Sequence, residues 1–209
     1  MNVSKTILEY LTQLSSSSPT PGGGNVAAFC GALASSLGIM VCNLTIGKKK
    51  YADVESEIIS VKEKLEDYQK KFIELSEKDN EAFNNVMEAM KLPKENEEQI
   101  QIRSKKIEEA TLHAAEIPSE VIKNCNSILP LLKIIIDKGN KNSISDAGVA
   151  ISLIKSAAQS AYLNVLINCK SLNNQTIASE IQKSVQVIFD EVQKTTELYL
   201  NIITSLLKS

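Results

Sequence analysis

From Val26 to Ile46 the chain carries no charge, and most positions are apolar or small, so a helix there must be enclosed by protein around most of its circumference. Gly31, Ser35, Gly38 and Cys42 recur at three-and-four spacing on one face, which lets a neighbouring backbone come close. The longest periodic segment follows, from about Asp53 to Met90. Ile58, Leu65, Phe72, Asp79 and Val86 are seven apart, and Val61, Tyr68, Leu75, Ala82 and Ala89 interleave three residues later, the pattern of a heptad seam. Val3, Ile7, Leu8, Leu11 and Leu14 predict a short first helix against the bundle, ended by the run Ser15 to Ser18. Leu92-Pro93-Lys94 ends the long helix, and a charged helix runs from Glu95 to Pro118 with His113, a surface or capping residue, near its end. Ser119 is placed to cap a further helix through Val121, Ile122, Cys125, Ile128, Leu129 and Leu132, kinked at Pro130. The last helix, from about Ile177 to Leu207, bears the stripe Ile181, Val185, Ile188, Val192, Tyr199 and Ile203, which is core or a dimer seam. No segment alternates as a strand does. The expectation is one all-α domain over residues 1–209, an array of seven or so long and short helices about a buried small-residue central helix.

Within that frame Asp79 is out of place, because its four companions at the same heptad position are Ile58, Leu65, Phe72 and Val86. An unpaired buried carboxylate costs several kcal/mol, so it must pair, protonate or face a pocket. It either fixes register with a lysine, marks a seam that ends near Ser76, or serves as a carboxyl of raised pKa that carries protons. A second feature is the hinge before the uncharged helix, where Pro19 and Pro21 stop a preceding helix and Gly22, Gly23 and Gly24 allow close approaches. The helix opening near Asn25 offers unpaired N–H groups at its positive end, suited to a carboxylate or phosphate, or else is a tight turn without a ligand. Lys48, Lys49 and Lys50 form a basic turn after that helix. The stretch Gly139 to Ala150 gathers Asn140, Asn142, Ser143, Ser145 and Asp146 at the start of another helix, which runs to about Cys169 and carries Asn164 and Asn168 on one face as a polar pocket wall or an interhelical contact.

Composition narrows the function classes. The net charge of −2 gives no global field for nucleic acid, and a single histidine excludes a histidine-rich metal site; no metal is expected. Cys30, Cys42, Cys125 and Cys169 have no paired metal-ligand spacing, and with no signal peptide in view they fit small buried side chains in a reducing cytoplasm. The uncharged run is long enough to span a membrane, yet its Ala, Ser and Gly content with Asn43 and Thr45 favours a buried helix of a soluble bundle.

The ordered motifs SSSSPTPGGGNVAAFCGALASSLGIMV, LTIGKKKY, DNEAF, LPK, ATLHAAEIP, GNKNSISDAGVA and AYLNVLIN, from about Ser15 to Cys169, resemble the cyclodeaminase/cyclohydrolase family of folate enzymes. That family includes the cyclodeaminase half of formiminotransferase-cyclodeaminase and stand-alone bacterial methenyltetrahydrofolate cyclohydrolases. Asn25 stands where those proteins often have Ser. The resemblance implies a helical array that forms a homodimer, with a folate pocket near the subunit interface and no cofactor beyond the tetrahydrofolate substrate. It puts the family's catalytic aspartate at Asp79. It also implies substrate contacts at Gly22, Gly23 and Gly24, at one or more of Lys48, Lys49 and Lys50 for the glutamate carboxylates, and at Asn142, Asp146, Asn164 and Asn168. The expected reaction is cyclodeamination of 5-formiminotetrahydrofolate to 5,10-methenyltetrahydrofolate and ammonia, with cyclohydrolysis of the methenyl compound as the alternative. A non-catalytic helical interaction protein is the alternative of another class.

Overall fold

The computed structural model describes residues 6–208, and among them there is no strand. Six α-helices follow in order: α1 Ile7–Leu14, α2 Gly23–Thr45, α3 Glu55–Met90, α4 Glu97–Lys138, α5 Ile144–Lys170 and α6 Gln175–Lys208, with 3₁₀ turns at Lys49–Val54 and Lys141–Ser143. Val3 lies outside the described residues.

α2 runs through the middle, with α3, α4 and α5 packed about it. Its seam with α3 is antiparallel and keeps register in steps of seven on both helices: Gly38 lies against Leu65, Gly31 against Phe72, and Gly24 against Asp79. A Cβ on Gly31 would fall 2.5 Å from Phe72 Cδ1, and one on Gly38 2.9 Å from Leu65 Cδ1, so these side chains occupy space that only glycine leaves open. Leu65 and Phe72 are fully buried as a result, and Ile58 one heptad earlier is fully buried as well. α2 and the Lys141–Lys170 stretch are each long and apolar enough to cross a membrane by length and composition, a test that a core helix also passes. In this fold the two pack on each other.

Two expectations are corrected. Pro118 does not end a helix, and Ser119 does not cap one; α4 runs unbroken through Pro118 and Pro130. Proline at 118 has no N–H for the Ala114 carbonyl, and Asn168 Nδ2 of α5 supplies the missing donor at 2.7 Å. Ser119 Oγ donates back to Ala115 O at 2.7 Å, so it serves the helix interior and not a terminus. The helix count therefore falls below seven. On α1, the stripe expected to face the bundle is reversed: Ile7, Leu8 and Leu11 are exposed, Leu14 is half-buried, and Tyr10 is the buried residue. Tyr10 anchors the helix by its ring on Phe29, with centroids 5.3 Å apart, and by its hydroxyl. The α6 stripe does lie inward, with Val185, Val192 and Ile203 buried.

Candidate active site

The antiparallel seam delivers the first turn of α2 to the later half of α3, and there the packing changes character. Asp79 takes the place that Leu65 and Phe72 hold earlier in the seam, and a cavity of about 370 Å³ opens beside it. Pro19, Thr20 and Gly22–Gly24 form one wall; Phe83, Val86, Met87 and Met90 of α3 form a second. Ile107, Thr111 and Ala114 of α4 face Asn164, Ile167, Asn168 and Ser171 of α5 across the remainder. Asp79 is the one titratable side chain among all these lining residues.

Burial drives the Asp79 carboxyl up from the ordinary carboxylate range to about 6, against the backbone N–H of Asn25, which donates to it and favours the charged form. The unpaired N–H groups and positive end of α2 act in the same sense, since Gly22 caps that helix without a side chain. Near neutral pH the group is therefore mostly ionised yet able to take up and release a proton, the range in which a general base works well. Glycine at 24 is a condition of this geometry, because a Cβ there would sit 2.0 Å from Asp79 Oδ1.

The two α5 amides are fixed in orientation. Asn164 Nδ2 donates to Ser160 O at 2.8 Å, and its carboxamide lies against Gly23; Asn168 Nδ2 is committed to Ala114 O. One proline in α4 thus dictates how Asn168 lines the cavity. Of the residues singled out in the sequence, Gly22, Gly23, Gly24, Asp79, Asn164 and Asn168 meet around this space.

The structure does not bring the others there. Lys48, Lys49 and Lys50 follow the opposite end of α2, about 33 Å along the axis at 1.5 Å per residue. They are exposed, with the Lys50 ammonium 5.6 Å from the Tyr51 ring. Asn142 and Asp146 stand at the start of α5, and Asp146 is about 27 Å of helix from Asn164. Their neighbourhood is a closed knot. Asn140 donates its N–H to Thr45 Oγ1 and Nδ2 to Leu44 O, both at 2.9 Å, and accepts from the Asn142 N–H at 3.1 Å, while the Lys141 N–H donates to the Tyr51 hydroxyl.

Phe83, Met87 and Met90 were missed in the sequence, although with Val86, already in the Asp79 register, they continue that face at helical spacing. Tyr10 was missed because it lies outside the apolar stripe of its own helix. His113 is exposed and meets Glu116 at 3.1 Å, away from this cavity. Burial pushes the thiols of Cys30, Cys42, Cys125 and Cys169 up, Cys42 to about 11, so none is a ready nucleophile. Among the described residues no group of three or more His, Cys, Asp or Glu could hold a metal ion.

Comparison with known proteins gives consistent likenesses. The sequence model described as Formiminotransferase-cyclodeaminase matches residues 6–187. A methenyltetrahydrofolate cyclohydrolase of Methylorubrum extorquens is 42% identical over 193 residues, covering 92% of this chain and 93% of that protein. The formimidoyltransferase-cyclodeaminase of Gallus gallus is 28% identical over 96% of this chain, which spans only 37% of that longer protein. Among solved structures, formiminotetrahydrofolate cyclodeaminase of Thermotoga maritima matches with a TM-score of 0.81 at 31% identity, over 97% of this chain and 98% of that one.

Proposed function

The chain belongs to the formiminotransferase-cyclodeaminase family, and on that premise we propose that it is a cytoplasmic 5,10-methenyltetrahydrofolate cyclohydrolase whose proton carrier is Asp79. The carrying observation is the lone carboxyl in an otherwise uncharged cavity. The order of the two expected reactions is reversed, because the Methylorubrum relative, matched over nearly its whole length, is a cyclohydrolase.

In this reading the cationic methenyl bridge of the substrate lies against the Asp79 carboxylate, which stabilises its charge in a site sheltered from water. Water adds to the methenyl carbon, and Asp79 takes one of its protons to leave a neutral tetrahedral adduct. The carboxylic acid then returns that proton to N5 as the C–N5 bond breaks and the remaining hydroxyl proton departs to solvent. The product is 10-formyltetrahydrofolate, with one proton released overall. The cavity volume falls at the lower end of ligand pockets, so it takes the bicyclic ring and one-carbon bridge while the glutamate tail extends outward. No cofactor beyond the folate enters.

A second reading is cyclodeamination, supported by the name of the Thermotoga structure. N10 would attack the formimino carbon, and Asp79 would move a proton from N10 to the departing ammonia. The proposal also includes a homodimer through α2, whose outward side shows Leu33, Met40 and Leu44 and has no charge between Val26 and Ile46.

The deciding experiment supplies purified protein with each folate separately and follows the methenyl chromophore. Loss of absorbance from 5,10-methenyltetrahydrofolate above the uncatalysed rate, with no gain from the formimino compound, is the expected result. Gain from the formimino compound alone establishes the second reading. Activity on neither would leave a non-catalytic interaction protein.

A further inference from the structure

Asp79 is held by more than its own helix. Tyr10 of α1, 5% exposed, donates its hydroxyl hydrogen to Asn25 Oδ1 at 2.8 Å. Asn25, fully buried in the first turn of α2, donates from Nδ2 to the carbonyl of Ser76 in α3 at 2.7 Å. Its main-chain N–H donates to the carboxylate of Asp79, three residues beyond Ser76. One residue thus grips α3 with its side chain and serves the carboxyl with its backbone. Neither of these side chains lines the cavity.

We propose that Asn25 and Tyr10 are positioning residues, a clamp joining α1, α2 and α3 that holds the first turn of α2 in place to present its N–H to Asp79. The inference rests on the reading of Asp79 as the proton carrier. Few other groups compete for control of that carboxyl. α2 carries no charge, the cavity faces of α4 and α5 present only Ile107, Thr111, Ala114, Asn164, Ile167, Asn168 and Ser171, and on α3 itself Lys78 and Glu81 face a groove towards α4 and α6. The Tyr10 phenol is pushed above its ordinary value by burial and stays neutral. The Asn25 N–H is then the largest influence favouring ionisation, and loosening it leaves burial to act with less opposition.

The test needs no substrate. Carboxyl ¹³C titration by NMR follows Asp79 in the wild type, in Asn25→Ala, which deletes both side-chain bonds, and in Tyr10→Phe, which deletes one and keeps the ring on Phe29. The Asp79 midpoint should rise by about half a pH unit or more in Asn25→Ala and by less, in the same direction, in Tyr10→Phe. The acid limb of kcat/KM should move by the same interval, with kcat affected more than KM. An unmoved midpoint in a natively folded Asn25→Ala protein overturns the clamp, and if that variant does not fold, an unmoved midpoint in Tyr10→Phe does so alone. Midpoints that move in a protein active on neither folate would sustain the clamp and refute the proposed reaction instead, so the two failures are distinguishable.

Discussion

The two ends of α2 are both dense in polar and glycine residues, but they dispose of them differently. At the C-terminal end Thr45, Tyr51, Asn140 and the Asn142 backbone bond to one another and close a knot between the end of α4 and the start of α5. At the N-terminal end Nδ2 of Asn25, of Asn164 and of Asn168 each donates to a backbone carbonyl, and a carboxyl is left facing a cavity. Polar groups that satisfy each other stabilise a fold; a carboxyl partly withdrawn from solvent and given one hydrogen bond is held ready for a proton. Predictions that set one end against the other test this contrast.

The largest effect is expected at Asp79 and Gly24. Asp79→Asn should reduce turnover by about 10²–10⁴, the usual contribution of a general acid–base group. Gly24→Ala should approach that loss, since its Cβ would fall 2.0 Å from Asp79 Oδ1. Gly31→Ala, two turns on in the same seam, would strike Phe72 instead, with a stability cost of about 1–3 kcal/mol and an unchanged pH profile in the folded fraction. Equal catalytic loss in both glycine variants would mean that the helix, and not the carboxyl, was being disturbed.

Asp79 also makes a prediction about stability, with a sign opposite to that of a salt-bridged carboxylate. Its folded-state value of about 6 lies above the unfolded value of 3.8, so between these the folded protein binds more protons and loses stability as pH rises. The penalty, about 2–3 kcal/mol, is absent below the unfolded value and complete above about pH 7. Asp79→Asn should therefore be more stable than wild type at neutral pH while inactive, and the difference should shrink when urea unfolding is repeated near pH 4. The wild-type acid limb of kcat/KM should have its midpoint near pH 6. A midpoint near 4 would put the carboxyl in contact with bulk water.

At the other end, Asn140→Ala should lower stability by about 1 kcal/mol, because it leaves the part-buried Leu44 carbonyl and Asn142 N–H without their partner. The acid limb should not move. A shifted pH profile would show that the two ends are mechanically coupled through α2.

Much of this contrast was legible in the chain because helical periodicity is a local property. The heptad that set Asp79 among Ile58, Leu65 and Phe72 is a real seam, and the uncharged run is its central partner. The pairing of Gly24 with Asp79 was within reach, since Gly24, Gly31 and Gly38 repeat at the interval of Asp79, Phe72 and Leu65 in the opposite direction. What remained hidden were relations between distant segments. Pro118 reads as a helix stop until Asn168 of another helix supplies the missing donor. Asn142 and Asp146 read as site residues until the antiparallel course of α5 carries Asn164 and Asn168 to the cavity and leaves those two behind.

The smallest effect is expected from the lysine turn, and it sharpens the contrast most. With Lys48, Lys49 and Lys50 all changed to Ala, stability should move by less than about 0.5 kcal/mol, since the three are exposed and make no ion pair among the described residues. Within one protomer they stand roughly 30 Å from Asp79, too far to touch the reacting carbon, so kcat should stay within about twofold. KM carries the information. If it is also unchanged, the turn is a solvated surface. If it rises while kcat holds, the lysines supply binding shared equally by ground and transition states, as a hold on the anionic glutamate tail would. Because the distance along α2 forbids that contact in the same protomer, such a rise would place a second subunit's basic turn beside the cavity, and it should disappear in a variant such as Leu33→Lys that keeps the chain monomeric.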